Sequence, residues 1–206
     1  MTLSEFDNEI RKDHNVVCGC DEAGRGPLAG DVFAAAVIFD KDTVIEGIND
    51  SKKLTAKKRE ELFDEIMEKA VDFSIQTATV EEIEDINILN AAMLAMKRAV
   101  EDMDTKPDVC LIDGNKTPEG LECSAIAVVK GDAKSQAVAA ASILAKVARD
   151  RYMEQMAEQY PEYRFEKHKG YGTKAHCEAI LQYGPCPAHR PSFLRKLYQK
   201  HENENN

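Results

Sequence analysis

The feature that most limits how this chain can fold is the continuous apolar run Val32–Phe39. A strand with one solvated face alternates apolar and polar residues, whereas a strand covered on both faces is apolar throughout. The run therefore predicts a strand buried between two layers, which requires a sheet with helices on both sides. Its eight residues fall far short of the roughly 18 that a membrane-spanning helix needs.

The rest of the chain alternates predicted strands and helices, which favours an α/β fold with a mixed sheet. Further strands are expected at Val16–Cys20, 71–79, Asp108–Ile112 and Ala125–Val129. Helices are expected at 55–70, from Thr79 onward, and at 135–160, 173–183 and 192–200. Because 206 residues with 43% hydrophobic content suffice for one full-sized domain, we predict a single domain, 1–206, ending in a disordered tail at 201–206.

Acidic residues follow three of the predicted strands. Asp21 and Glu22 follow the first strand, Asp113 follows the fourth, and Asp132 comes shortly after the fifth. If these strands are neighbours, four carboxylates meet at one edge, where they repel each other unless cations neutralise them. Oxygen ligands suit Mg²⁺ or Mn²⁺ rather than zinc, and a pair of such ions supports phosphodiester hydrolysis. Alternatively, each acid only caps a loop, and Asp113 begins an ordinary turn.

Two glycine-rich segments are candidate ligand-binding loops. In Gly24-Arg25-Gly26 the missing side chains let a ligand approach the backbone, although a tight turn accounts for the segment equally well. Tyr171, between two glycines, could stack on a sugar or base, or equally be a core tyrosine in a turn. The helix that follows offers free amides at its start, which favour phosphate. Further candidates for substrate contacts are the polar or cationic residues Lys52, Lys53, Lys130, Thr173, His176 and Arg190.

The charge distribution divides the chain into an acidic body and a basic C-terminal segment. The net charge of −10 on its own argues against a nucleic-acid partner. From residue 163 to 201, however, eight Lys or Arg residues face two acids, so we predict that 163–200 is a helical segment that contributes to substrate binding. A merely solvated helical surface is the alternative. The polar, acidic N-terminus lacks a secretory signal, which predicts a cytoplasmic protein with no membrane partner.

Taken together and in order, seven segments of the chain resemble the ribonuclease HII family. They are DEAGRGPLAG at 21–30, DSKKL at 50–54, IDGN at 112–115, KGD at 130–132, AAASILAKV at 139–147, GYGT at 170–173 and HRPSF at 189–193. The resemblance runs from about Val17 to Phe193. It implies a ribonuclease H-like fold, with a five-stranded mixed sheet flanked by helices and extra C-terminal helices.

The resemblance also implies an activity and assigns residues to it. The implied catalytic carboxylates, which bind two divalent ions (Mn²⁺ or Mg²⁺), are Asp21, Glu22, Asp113 and Asp132. The backbone of residues 24–26 is expected to read the ribose 2′-hydroxyl, and Tyr171 to stack on the sugar. The implied reactions are hydrolysis of the RNA strand of RNA/DNA hybrids and nicking 5′ to a single ribonucleotide in duplex DNA, leaving 3′-hydroxyl and 5′-phosphate ends. We expect a monomer whose tail shows no sliding-clamp peptide.

The chain departs from the family pattern at two positions, Asp31 and Pro191. Asp31 is expected to add an acid beside the site, and Pro191 replaces a frequent arginine, which puts one phosphate contact in doubt.

A DNA exonuclease on the same fold would keep the carboxylates but need neither the glycines nor Tyr171. A module that binds RNA/DNA hybrids without turnover would not need the full set of acids.

Overall fold

Five strands form one mixed sheet in the computed structural model, which describes residues 1–48, 51 and 54–205. The strands are β1 (Val17–Ala23), β2 (Val32–Ile38), β3 (Asp72–Ala78), β4 (Val109–Asp113) and β5 (Ser124–Val128), in the spatial order β3-β2-β1-β4-β5. Strand β1 is antiparallel to β2 and parallel to β4, and β4 is parallel to β5. The carboxyl ends of β1, β4 and β5 therefore meet at one edge, and the predicted mixed sheet is confirmed.

The α-helices of the described chain are α1 (Leu3–Ile10), α2 (Ala56–Lys69), α3 (Val80–Asp102), α4 (Gln136–Gln159), α5 (Phe165–His168), α6 (Lys174–Tyr183) and α7 (Pro191–Asn205). Hydroxyl side chains accept a backbone hydrogen bond at the start of five of them, as helix N-caps commonly do. These caps are Thr2 for α1, Thr55 for α2, Thr79 for α3, Ser135 for α4 and Thr173 for α6. None of the helices in this part of the chain is long and apolar enough to cross a membrane.

Strand β2 lies between two helical layers, as its unbroken apolar sequence predicts. All of its residues are buried. Ala34, Ala36 and Ile38 pack in a cluster that includes α3 residues. Ala35 and Val37, on the opposite face, pack in a cluster built largely from α2 and α4. The core therefore has two halves, one on each side of the sheet.

The structure differs from the sequence-based expectation in three places. Strand β1 continues beyond Cys20 because Glu22 and Ala23 still pair with β2. Helix α1 is an addition, and its sequence signal is a capping box in which Thr2 and Glu5 bond each other's backbone. The prediction of a disordered tail is wrong for residues 201–205, which continue α7. No Gly or Pro follows Pro191 to interrupt that helix.

Candidate active site

Sheet topology brings the predicted carboxylates to one edge. Cys20 of β1 pairs with Ile112 of β4, so the next residues, Asp21 and Asp113, occupy adjacent positions on neighbouring parallel strands. Asp113 in turn pairs with Val128 at the end of β5. A short 3₁₀ turn, Gly131–Ala133, follows β5 and carries Asp132.

A short hydrogen bond joins the Asp132 turn to Asp113. The backbone N–H of Gly131 donates to Oδ1 of Asp113 over 2.6 Å. Lys130, the residue before the turn, adopts the left-handed conformation with φ of 57°. Its side chain is exposed and therefore accessible to a substrate. The predicted contact between Lys130 and substrate stays a prediction. The chain thus doubles back sharply enough to place Asp132 beside the end of β4.

Crowding of like charges dominates the electrostatics of this edge. Burial raises the pKa of Asp21 well above its usual range, and the neighbouring charges of Glu22 and Asp113 raise it further, against a hydrogen bond from Ser142 that lowers it. Burial also raises the pKa of Glu22, while Arg25 opposes this shift. Arg25 Nη1 lies 3.1 Å from Glu22 Oε1. A folded chain that forces these carboxylates together loses stability unless positive charge offsets the repulsion.

The donor chemistry of this edge fits hard divalent cations, because all the side-chain donors are carboxylate oxygens. Within residues 1–48, 51 and 54–205, no three Asp, Glu, His or Cys side chains converge closely enough to hold one metal ion. The carboxylates instead engage local partners, Glu22 with Arg25 and Asp113 with the Gly131 amide. Shared coordination of an ion therefore requires some side-chain movement, although a carboxylate such as Asp113 can ligate an ion through one oxygen while the other accepts the amide hydrogen bond.

A cleft of about 210 Å³ opens beside the carboxylates, and we call it the active-site cleft. It brings together two predicted features, the segment Gly24–Gly26 and Tyr171. The remaining lining residues are Glu22, Ala23, Ser51, Ser142 and Lys146. Tyr171 is 45% exposed. Its Cε1 atom lies 3.8 Å from the position that a Cβ on Gly26 would occupy, so this partly exposed ring borders the glycine segment.

Sequence reasoning missed three polar residues of the active-site cleft. Ser142 and Lys146 lie on α4, four residues apart and therefore on one helical face. Their signal was present, because they are the polar positions in an otherwise apolar stretch of that helix. Ser51 shares a hydrogen bond of 3.0 Å with Ser142. Lys146 pairs with Asp150, and burial lowers its pKa.

Comparisons with known proteins identify the family of this chain. The family model described as Ribonuclease HII matches residues 18–200. Ribonuclease HII from Caldicellulosiruptor saccharolyticus is 53% identical over 93% of this chain and 93% of that protein, and ribonuclease HII from a Marinomonas species is 59% identical over 87% and 90%. The crystal structure of ribonuclease H2 from Pyrococcus horikoshii OT3 has a TM-score of 0.74 at 30% identity, covering 90% of this chain and 98% of that one. This chain belongs to the ribonuclease HII family.

Membership of the ribonuclease HII family establishes the general activity. The protein is a ribonuclease H, a metal-dependent endonuclease that acts on RNA/DNA hybrids. Its five-stranded mixed sheet with flanking helices is the fold shared with the ribonuclease H2 structure. The expected family resemblance and fold are therefore confirmed, whereas the assignment of individual residues rests on the geometry above.

Two of the predicted substrate contacts are corrected by the structure. Arg190 is fully buried, and its guanidinium donates to backbone carbonyls of residues 24–30 rather than facing a phosphate. His176 is also fully buried and bonds to the carbonyl of Tyr171 and to His189. Thr173 is exposed, and its hydroxyl caps α6, so its substrate contact remains a prediction. Lys52 and Lys53 lie outside the described residues.

The two departures from the ribonuclease HII pattern have structural explanations. Asp31 does not line the active-site cleft, and its Oδ1 accepts a hydrogen bond of 3.0 Å from the N–H of Val80 at the start of α3. A carboxylate at a helix N-terminus is favourable, so the expectation that it crowds the active site is wrong. Pro191 is the first residue of α7, where proline needs no hydrogen-bond partner for its nitrogen.

A chain of buried hydrogen bonds connects Tyr171 to the turn before α7. The N–H of Cys186 donates to Nδ1 of His189 over 3.0 Å, which leaves the proton of His189 on Nε2. That Nε2 lies 3.1 Å from Nε2 of His176, whose own Nδ1 donates to the Tyr171 carbonyl over 2.9 Å. Each ring nitrogen therefore has a partner only while both histidines are neutral. Burial lowers the pKa of each histidine to about 4.

We expect these histidines to make the fold less stable in mild acid. The unfolded chain takes up protons below about pH 6.5, whereas the folded chain does not until about pH 4, so stability falls as pH decreases through this window. Between about pH 7 and about pH 5 each histidine should cost about 2 kcal/mol. Urea unfolding at the two pH values measures this loss. His189→Gln should reduce the pH-dependent loss, because it removes one of the histidines that the folded chain keeps neutral; a loss equal to that of the wild-type protein would contradict the assignment.

Proposed function

We propose that this ribonuclease H also recognises a single ribonucleotide embedded in duplex DNA and nicks on its 5′ side, leaving 3′-hydroxyl and 5′-phosphate ends. The observation that carries the proposal is the active-site cleft, where Glu22, the backbone of residues 24–26 and the ring of Tyr171 border the same space. A site of this composition contacts one sugar and its neighbouring phosphate. It does not need a continuous RNA strand.

The carboxylates Asp21, Glu22, Asp113 and Asp132 are proposed to hold two divalent ions, Mg²⁺ or Mn²⁺. When bound, such ions activate water for attack and neutralise charge on the departing 3′-oxygen. The carboxylates contribute the negative charge that binds the ions, and their mutual repulsion is relieved as they do so. Ser142 hydrogen-bonds Asp21, and the Gly131 amide orients Asp113.

Discrimination between ribose and deoxyribose is proposed to come from the backbone of residues 24–26. The 2′-hydroxyl is the group that distinguishes RNA from DNA, and backbone groups can bond it whatever base the nucleotide carries. Cleavage should therefore be nearly independent of sequence. Tyr171 is proposed to stack on the sugar, and Ser142 and Lys146 to face the adjoining phosphate from α4. The remaining predictions of a single domain, a cytoplasmic monomer and a substrate-binding segment at 163–200 belong to the same proposal.

A single assay tests the proposed function. The substrate is an end-labelled DNA duplex with one ribonucleotide, incubated with Mg²⁺, with Mn²⁺ or with EDTA, alongside an all-DNA duplex of the same sequence. We expect one nick 5′ to the ribonucleotide with either ion, none with EDTA and none in the all-DNA duplex. Degradation of both duplexes would instead indicate a DNA exonuclease. Tight binding of hybrids without any product would indicate a binding module.

Tyr171→Ala is expected to impair cleavage at a single ribonucleotide more than cleavage of a continuous RNA strand. In a continuous strand other ribonucleotides supply further contacts, whereas an isolated ribonucleotide has only this ring and the backbone of residues 24–26. Loss of one stacking contact is worth about 1–3 kcal/mol, or roughly 5- to 150-fold in kcat/KM. Steady-state rates on the two substrates measure the difference. Tyr171→Phe, which keeps the ring, and Tyr183→Ala, an exposed tyrosine outside the cleft, are the controls; equal losses on both substrates would contradict the stacking assignment.

A further inference from the structure

Two buried arginines lie behind the active-site cleft. Arg149 of α4 is 1% exposed, and Arg190, just before α7, is fully buried. A buried guanidinium is costly unless its N–H groups are satisfied. In the part of the chain that the structure describes, neither arginine forms a salt bridge, and both donate to backbone carbonyls instead. Their partners lie in two loops, which we call the glycine loop (residues 24–31) and the tyrosine turn (residues 168–172).

Arg190 organises the glycine loop from within. Its Nη2 donates to the carbonyl of Gly24 over 2.7 Å, and its Nη1 donates to those of Arg25 and Pro27 over 3.2 and 2.9 Å. Nε and Nη2 both donate to the carbonyl of Gly30, over 2.9 and 2.6 Å. One rigid guanidinium thus fixes four carbonyls of the loop in a single orientation.

The orientation of these carbonyls decides what the loop presents to the cleft. In a planar trans peptide, the carbonyl of one residue and the N–H of the next point in opposite directions. Because the carbonyls of Gly24 and Arg25 point inward to Arg190, the N–H groups of Arg25 and Gly26 point away from it. These residues line the active-site cleft. The buried guanidinium therefore turns two backbone donors towards the place where a sugar hydroxyl would bind.

Arg149 joins the glycine loop to the tyrosine turn. Its Nη2 and Nε donate to the carbonyls of Ala29 and Asp31 over 3.0 and 3.1 Å, and its Nη1 donates to that of Lys169 over 3.0 Å. The side chain also lies directly under Gly24, where an added Cβ would come within 2.1 Å of Nε. Gly24 has φ of 99°, so both its backbone conformation and this contact require glycine.

We propose that Arg149 and Arg190 are positioning residues for ribonucleotide selectivity: Arg190 orients the N–H donors of the glycine loop, and Arg149 sets the spacing between that loop and Tyr171. The inference rests on the proposed function, because it concerns how the proposed sugar site is built. Neither arginine touches substrate. Their effect is on the discrimination between ribose and deoxyribose, beyond their contribution to folding.

Conservative substitutions separate this effect from stability. Lysine keeps the positive charge but lacks the planar fork that spans several carbonyls. We would measure the affinity of Arg190→Lys and Arg149→Lys for a fluorescent DNA duplex with one ribonucleotide and for the matching all-DNA duplex, in EDTA so that nothing is cleaved. The preference of the wild-type protein for the ribonucleotide duplex should fall at least about tenfold in either variant, with all-DNA binding unchanged. Matched controls are Arg151→Lys on α4 and Arg98→Lys on α3, which lie outside both loops and should retain the preference; Arg98, like the two tested arginines, donates to a backbone carbonyl, that of Thr77.

The possible outcomes are distinguishable. If the wild-type protein shows no preference for the ribonucleotide duplex, the arginines have no discrimination to support and the positioning assignment is overturned, whereas the cleavage assay still decides the proposed nicking. If the wild-type protein shows the preference and the folded variants keep it, or lose both affinities in equal proportion, the positioning assignment is overturned. If Arg190→Lys does not fold, Arg149→Lys decides alone, because Arg149 bonds two carbonyls of the glycine loop where Arg190 bonds four. Failure of both variants to fold, with both controls folded, would show that the arginines serve the fold itself and would also overturn the proposal.

Discussion

Asp113→Asn is expected to abolish divalent-ion-dependent cleavage of RNA/DNA hybrids while leaving the fold intact. The amide oxygen can still accept the hydrogen bond from Gly131, so the turn that carries Asp132 should keep its position. What the variant lacks is an anionic oxygen at the edge where β1, β4 and β5 end. A divalent ion contributes several kcal/mol to such a reaction, so we expect kcat/KM to fall by at least about a thousandfold.

The same substitution should raise stability in the absence of metal. The charge of Asp113 raises the pKa of Asp21 and of Glu22 through repulsion, and removing it relieves the folded state of that cost. Thermal unfolding in EDTA should therefore show an equal or higher Tm for the variant. Added Mg²⁺ or Mn²⁺ should raise the Tm of the wild-type protein, and raise that of the variant much less.

The control for Asp113→Asn is Asp85→Asn, which alters an exposed carboxylate on α3. It should change neither the activity nor the response of Tm to metal. Near-wild-type turnover by Asp113→Asn would remove this residue from the catalytic machinery. A metal-dependent rise in Tm equal to that of the wild-type protein would show that the ions bind elsewhere.

Local patterns predicted the elements of the fold, whereas their assembly depended on contacts distant in sequence. The apolar run of β2 and the capping box at Thr79 are complete within a few residues, and both are confirmed. The meeting of Asp21 with Asp113 depends instead on β1 pairing with β4, a strand some ninety residues later. No periodicity encodes that pairing. The resemblance to a known family supplied it before the structure did.

The incorrect site predictions share one cause, which is that polar side chains were assigned to the surface. Arg190 and His176 are predicted substrate contacts because each lies near the start of a predicted helix where a phosphate could bind, yet both are fully buried. A glycine loop that folds back on itself leaves inward carbonyls without strand or helix partners, and these need buried donors. Arg190 supplies such donors to the glycine loop, and His176 to the tyrosine turn. Which distant residue fills such a need follows from tertiary packing alone.

Gly19→Ala is expected to cause one of the largest losses of stability available from a single methyl group in this protein. Gly19 lies in the middle of β1, and the first turn of α4 crosses directly over it. An added Cβ would lie 2.2 Å from the carbonyl carbon of Ala137 and 2.2 Å from the nitrogen of Val138. Both atoms are backbone, so no side-chain rotation can relieve the contact. The helix itself must move by more than 1 Å, roughly the deficit to an ordinary contact, at a cost of about 3–5 kcal/mol.

The consequence of Gly19→Ala should reach the active site, because α4 also carries Ser142, which hydrogen-bonds Asp21. Urea unfolding measures the loss of stability, and kcat on an RNA/DNA hybrid, at a temperature where the variant is folded, measures the displacement of α4. The matched control for stability is Gly26→Ala, because its added Cβ would meet nothing closer than 3.8 Å. A loss below about 1 kcal/mol for Gly19→Ala would mean that α4 can rise from the sheet at little cost. The close approach of helix to strand would then not be what holds Ser142 against Asp21.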